Sequence, residues 1–277
     1  MGPSQPLNTP ARVRVALIGY GAIGRVVADA LLNIDGLVLV GLLVRDDSPK
    51  RAAAEARPAV MVTTRAEELL ANSPQIVVEC AGHGGLHMHA EALLRGGADL
   101  LIASVGALAD ASLEGRLRNA AAEGGSRMLI PAGAMAGLDA LGAARMAGLD
   151  RVDYTGCKAP VAWRGTRAER LIDLDRVNTQ TVFFEGSARQ AALAFPQNAN
   201  VVAAVALAGL GFDRTRVRLV VDPGEARNQH RFTASGAFGE LSATVIAETL
   251  SSNPKTSILA PWSLVRALQN LVATVSV

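Results

Sequence analysis

The stretch VRVALIGYGAIGRVVADALL, residues 13–32, restricts the fold more than any other part of this 277-residue chain. Residues 13–19 form a short, branched apolar run, as expected of a strand buried on both faces. Gly19, Gly21 and Gly24 follow in the pattern GxGxxG. Ile23, Val26, Val27, Ala30 and Leu31 then recur at helical spacing. A glycine fingerprint is weak evidence by itself, but here it closes a strand and opens a helix, the context it needs. Gly19 permits the tight turn, Gly21 lets backbone approach a pyrophosphate, and Gly24 lets helix and strand pack closely. With Ala22 and Ile23 these residues form a candidate dinucleotide site, the phosphates facing free N–H groups at the helix start. The alternative is a glycine-rich turn with no ligand.

Residues 37–44 read as a second strand, ending at Arg45, Asp46 and Asp47. An acid there suits the ribose 2′-hydroxyl of NAD, and an arginine suits the 2′-phosphate of NADP. Arg45 and Asp46 therefore leave both cofactors open, and the same charges suit a solvated strand end. AVMVT, QIVVECAG, DLLIASVGAL and RMLIPAG read as further strands. RAEELLANS, HGGLHMHAEALLRGG and ASLEGRLRNAAAEGG read as the helices between them, the last capped by Ser112. Such alternation predicts a doubly wound parallel sheet of the Rossmann type. Ligands sit beyond the carboxyl ends of such strands. Cys80, Ala81 and Gly82, Ser104 and Val105, and Gly133 and Ala134 fall at those ends and are cofactor candidates.

After about residue 150 the period changes. RVDYTGCKAP, RVNTQTVFFEG, RVRLVVDP, NQHRFTAS and GELSATVIAE read as strands, the last two joined by GAFG as a hairpin. This predicts a second region of longer amphipathic strands that includes an antiparallel hairpin. Ser187 is placed to cap a short helix and Pro196 to start another. Residues 201–210 are apolar all round, so that second helix must be buried. Gln197, Asn198 and Asn200 stand at its head, either capping it or facing a ligand at the domain junction. A tail with Pro254 in a loop precedes a helix carrying Leu264, Leu268 and Leu271. Its return to the first domain brings Lys255 and Thr256 near the cleft. The expected organisation is a disordered tail 1–11, a dinucleotide-binding domain 12–132, a second domain 133–250, and a returning helix 251–277.

The four histidines are His83, His87 and His89 in one helix, and His230 in the hairpin. His83 and His87 share a helix face but lack acid or cysteine ligands at metal spacing, so no metal is expected. His230 shares a strand face with Phe232 and Ala234, nearer the sheet margin, either as a satisfied packing residue or as a working imidazole. A net charge of +2 without a basic patch argues against nucleic acid. Arginine outnumbers lysine 24 to 3, read as base composition and not as a binding surface. No segment reads as a membrane span or signal peptide. Cys80 and Cys157 form no CxxC pair, which fits the reducing cytoplasm.

GYGAIGR, VVECAGH, LLIASVGALAD, IPAGAMAGLDAL, YTGCKAPVAWRGT, FEGSARQAALAFPQNANVVAAVALAG and NPKTS together resemble the L-aspartate dehydrogenase family, from about Arg12 to Val272. The resemblance implies oxidation of L-aspartate to iminoaspartate with NAD or NADP. The imine then enters NAD biosynthesis or hydrolyses to oxaloacetate and ammonia. The resemblance also implies a Rossmann domain followed by a second α/β domain on an open mixed sheet, serving substrate binding and dimerisation, in a homodimer. It places the family's catalytic histidine on His230 and puts cofactor contacts on Ala134 and Asn200. Amino-acid oxidation needs a neutral amine, and an imidazole suits proton traffic near neutral pH. His230 takes a proton from the amine, takes one from attacking water, or only orients the substrate. Lys158, Arg164, Lys255 and Thr256 are candidates for the two substrate carboxylates, with Asn198 beside them. The alternatives are a homoserine dehydrogenase or dihydrodipicolinate reductase type of enzyme, or a non-catalytic NAD-sensing protein.

Overall fold

A computed structural model describes residues 12–225, 227–251 and 253–276; for Pro254 and Lys255 it describes the backbone alone. The expected tail 1–11 lies outside the described residues. Six parallel strands come first: β1 (Val13–Ile18), β2 (Leu37–Leu43), β3 (Met61–Thr63), β4 (Ile76–Glu79), β5 (Asp99–Ile102) and β6 (Met128–Leu129). Their order is β3-β2-β1-β4-β5-β6, the Rossmann arrangement, with the topological switch between β1 and β4. The strands are buried on both faces because helices cover both. Val15 and Leu17 of β1 join a cluster with Val27 and Ala28 of helix Ala22–Ala30 and with Leu264, Val265 and Leu268 of helix Leu259–Asn270. Ala16 and Ile18 point the other way, into a cluster with Leu86 and Leu93 of helix Gly82–Arg95 and Leu113 and Leu117 of helix Ala111–Gly124.

The second sheet holds β7 (Leu149–Lys158), β8 (Thr181–Ser187), β9 (Arg216–Val221), β10 (Asn228–Gly236) and β11 (Gly239–Ala247), in the order β11-β10-β7-β9-β8. β7 and β9 run parallel and the other neighbours antiparallel, so the sheet is mixed as expected. One face is covered by helices Leu138–Gly148, Ala188–Ala194 and Ala199–Ala208. The other face carries exposed arginines and acids. Helix Ala199–Ala208 lies between the two sheets, and its alanines and valines belong to the cluster that also covers the first sheet. Among the described residues no single helix is long and apolar enough to cross a membrane.

Several local expectations change. Helix Ala111–Gly124 is capped by Asp110, whose carboxylate accepts from the N–H groups of Ser112 and Leu113, so Ser112 is not the cap. Residues 105–109 form a 3₁₀ turn instead of prolonging β5, because a short buried apolar run satisfies either shape. Pro254 lies in a strand, Asn253–Ser257, paired with Thr249–Leu250, and not in a loop. β10 is an interior strand, bonded to β11 and β7, so His230 does not sit at the sheet margin. Leu271 follows the C-terminal helix and stays largely exposed. The capping box of Ser187 with Gln190 forms as the sequence suggests.

Candidate active site

The glycine turn is built for close approach. Gly19 has φ +86°, and a Cβ there would lie 2.8 Å from the carbonyl oxygen of Cys80. A Cβ on Gly24 would lie 2.3 Å from the carbonyl oxygen of Gly19, so only glycine lets the helix pack on the strand. Gly21 faces open space, and the helix it starts has no side-chain cap. Its first N–H groups are thus available to an anion, and the residues fit a pyrophosphate. At the end of β2 the charges are already paired. Arg45 meets Asp47 at 3.4 Å, and Asp46 accepts from Arg51 at 2.8 Å.

Beyond β4 and β5 one buried acid organises the edge. Glu79 accepts from the Ala81 N–H at 2.7 Å and from the Ser104 N–H and hydroxyl at 2.9 and 3.0 Å. Burial raises its pKa while these donors hold it down. Ser104 is therefore turned inward on Glu79. Cys80 and Ala81 lead into the adjoining helix, which starts at Gly82, and burial and Glu79 push the Cys80 thiol pKa well up. His83 is half-buried with its pKa lowered by burial and by His87. Among the described residues no group of three or more His, Cys, Asp or Glu could hold a metal.

A cleft of about 110 Å³ opens between the two sheets. Ile23, Val105, Gly133 and Ala134 line it from the Rossmann side, and Lys158, Asn198, Asn200, Asn228, His230 and Thr256 from the other. Asn200 accepts from the Gly106 N–H at 3.0 Å and so ties the buried helix to the turn after β5. Ala199 packs so closely there that a Cβ on Gly106 would meet it at 2.5 Å. The amides at the head of that helix therefore look outward and do not cap it: Asn198 also makes no cap bond, and accepts from Lys158 Nζ at 2.7 Å. Gly133 has φ +62° with open space at its Cβ, and its N–H donates to Ser263 of the C-terminal helix.

His230 is 4% exposed. Its Nδ1 lies 2.6 Å from the hydroxyl of Tyr154, which is equally buried. Burial, then the charge of Lys158, lowers the imidazole pKa to about 3. Lys158 is 6% exposed, its Nζ 5.6 Å from the Trp163 ring centre, and burial lowers its pKa to about 8. Lys158 and His230 are the titratable side chains among the described residues lining the cleft.

The cleft thus gathers His230, Lys158, Asn198, Asn200, Thr256, Gly133, Ala134, Val105 and Ile23 from the expected residues. Gly19, Gly21, Ala22, Gly24, Cys80, Ala81, Gly82, Arg45 and Asp46 lie along the strand ends beyond it. Arg164 is removed as a substrate candidate: it is exposed, pairs with Asp175 and lies in a different hollow. The Lys255 side chain lies outside the described residues. Tyr154 and Glu79 are the residues the sequence reading misses. A lone acid ending the apolar run IVVE, and a tyrosine four residues before Lys158 on the same strand face, were the available signals.

Residues 139–271 match the family model "Aspartate dehydrogenase, C-terminal", and residues 19–131 match "Homoserine dehydrogenase, NAD binding domain". The L-aspartate dehydrogenase of Ralstonia nicotianae is 45% identical over 268 residues, covering 96% of this chain and 100% of that protein. This chain belongs to the L-aspartate dehydrogenase family. A further family member, the L-aspartate dehydrogenase of Ruegeria pomeroyi, is 46% identical over 265 residues, covering 95% of this chain and 94% of that protein. The crystal structure of aspartate dehydrogenase from Thermotoga maritima has the same fold, with a TM-score of 0.74 over 96% of this chain and 99% of that one, at 24% identity.

Proposed function

We propose that this chain catalyses NAD(P)-dependent oxidation of L-aspartate to iminoaspartate. One observation carries the reading beyond family membership. A buried imidazole and a buried lysine from the second sheet share one small cleft with the backbone at Gly133 and Ala134, where the Rossmann strands end. The nicotinamide cofactor, when bound, supplies the hydride acceptor. Gly19, Gly21, Ala22, Ile23 and Gly24 would hold its phosphates. The chain at Arg45 and Asp46 would meet its adenosine ribose. Cys80–Gly82, Ser104, Val105, Gly133, Ala134 and Asn200 would flank the rest.

On the substrate side the cleft offers cationic and neutral donors and no acid among the described lining residues, which suits a dicarboxylate. Lys158, Asn198 and Thr256 contribute here, with Lys255 kept as a candidate from the sequence. His230 is the catalytic residue that meets the reacting amino acid. During the reaction the ammonium loses a proton and the Cα–H bond gives up its electron pair as hydride. The nitrogen lone pair then completes the C=N bond. The helix between the sheets and the C-terminal helix shield the cleft, which keeps the imine from water until it leaves for NAD biosynthesis or for hydrolysis to oxaloacetate and ammonia.

We also keep the division into 12–132, 133–250 and 251–277, a homodimer, and a cytoplasmic location, as proposals. Supporting the dimer is the open face of the second sheet. It carries a groove of about 790 Å³ lined by Arg151, Arg216, Arg218 and Arg231 together with Asp153 and Glu185. Charges of both signs suit self-association across a two-fold axis. The deciding assay is the initial rate with L-aspartate, run with NAD and with NADP, beside homoserine and a cyclic imine. Turnover is expected with aspartate; turnover restricted to another substrate, or cofactor binding with no turnover, would overturn the assignment.

A further inference from the structure

On β7, Tyr154, Gly156 and Lys158 follow one another on the face turned to the cleft, and His230 of β10 pairs with the middle one. Register alone thus sets the imidazole between a phenol and an amine, each a diagonal neighbour roughly 7–8 Å away at Cα. Gly156 makes room for this. A Cβ there would come within 3.1 Å of the Tyr154 hydroxyl, which leans across the glycine to reach Nδ1 at 2.6 Å.

The direction of that hydrogen bond follows from satisfaction of buried groups. Burial pushes the phenol pKa well up, so Tyr154 keeps its proton. A buried O–H has to donate, and among the described residues its acceptor is Nδ1. Nδ1 is then bare, and the neutral ring carries its hydrogen on Nε2. The nitrogen left for the cleft is a donor. Protonating the ring would set a second N–H against the phenol hydrogen, in an apolar surrounding and near the Lys158 ammonium. His230 is built to give a hydrogen bond and poorly built to take a proton.

Lys158 has the opposite character. Facing it are His230 and Asn228 from β10, Asn198 and Gln197 from the head of the buried helix, Thr256 from the strand Asn253–Ser257, and the ring of Trp163. Among these only His230 is titratable, and burial keeps it neutral; no carboxylate among the described lining residues holds the lysine charged. Burial leaves its ammonium ready to release its proton near pH 8.

We propose that Lys158 is the base that accepts the proton of the substrate ammonium, and that Tyr154 is a positioning residue holding His230 as a neutral Nε2–H donor to the substrate. The proposal rests on the aspartate-oxidising reading above. An ammonium N–H bond breaks and its proton joins the lone pair of Lys158 Nζ. The Cα–H bond then breaks with its electron pair passing as hydride to the oxidised nicotinamide cofactor, and the amine lone pair forms the C=N bond. Lys158 returns its proton to solvent as product leaves. Aspartate has lost a hydride and a proton, and the cofactor has gained the hydride.

Two measurements test this. In protein labelled with ¹⁵N-histidine, His230 is expected at pH 7 with Nε2 protonated and Nδ1 bare, and Tyr154→Phe is expected to lose this single tautomer. An Nδ1–H ring in the unmodified protein overturns the proposal, whatever the substrate proves to be. Lys158→Arg keeps a cation that cannot deprotonate near neutral pH. It is expected to lower kcat for aspartate roughly 10²–10⁴-fold with KM little changed. The rise of kcat/KM through about pH 8 should vanish with it. In Lys158→Ala, added methylamine should restore turnover, more so at higher pH. Near-normal kcat in Lys158→Arg, or no rescue of a folded, cofactor-binding Lys158→Ala, overturns the base assignment. Absence of aspartate turnover in the unmodified protein instead fails the functional reading and leaves the tautomer result standing.

Discussion

The imidazole of His230 has an ordinary side chain in an extraordinary setting, and the setting decides its chemistry. With Tyr154 on one nitrogen and Lys158 nearby, it stays neutral in the folded protein down to about pH 3. In the unfolded chain it takes a proton near 6.5. Between those values the unfolded chain binds more protons, so this residue makes stability fall as the pH drops from 6.5 toward 3. Urea unfolding at neutral pH and at mildly acid pH should show a lower midpoint in acid. His230→Gln should remove part of that drop, at most about 1.4 kcal/mol per pH unit. Comparing the two proteins separates the histidine from Glu79, whose raised pKa acts in the opposite sense. Replacing His230 by Ala removes one positioned donor to the substrate and should lower aspartate turnover roughly 10²–10³-fold. NADH affinity, read by fluorescence titration, should change little, because the cofactor groove along the glycine turn is built from other elements. Unchanged turnover would return His230 to a packing role.

At the scale of elements, the strand–turn–helix of residues 13–30 works because three glycines do different jobs. Gly24 is the most exacting, since its missing side chain is what lets the carbonyl of Gly19 approach. Gly24→Ala is expected to push the helix off β1, lowering both the melting temperature and the affinity for NADH, with a far smaller effect from Gly115→Ala in an open stretch of a surface helix. Equal effects at both positions would deny Gly24 its special role. This element was fully legible from spacing. The buried helix Ala199–Ala208 was legible too, because a segment apolar all round has to be enclosed. Its polar head was not: Asn198 meets Lys158 forty residues away, and Asn200 meets Gly106 across the two sheets. The misplaced cap at Ser112 has a local cause. Asp110 is an equally good cap two residues earlier, and only the backbone course chooses between them.

Over the whole molecule, one apolar cluster runs from the outer helices of the first sheet, through the helix between the sheets, to Phe232 and Ala234 of the second. The cleft floor is therefore part of a shared core, which holds His230 and Lys158 against the Rossmann edge as one body. The open face of the second sheet carries charges of both signs. The protein is expected to sediment as a dimer, and reversing the exposed Arg231 to Glu should shift it toward monomer while leaving the fold intact. A monomer at all concentrations would refute the dimer. Periodicity and glycine placement by themselves determined the doubly wound sheet, the hairpin of the second sheet and the dinucleotide turn, because each is written in contiguous residues whose spacing has one good solution. Only the tertiary structure decided that Tyr154, Gly156, Lys158 and His230 form a single unit, that Glu79 holds two strand ends together, and that Arg164 stands apart. Those relations come from strand register and sheet order, which join residues dozens of positions apart and leave no trace in local pattern.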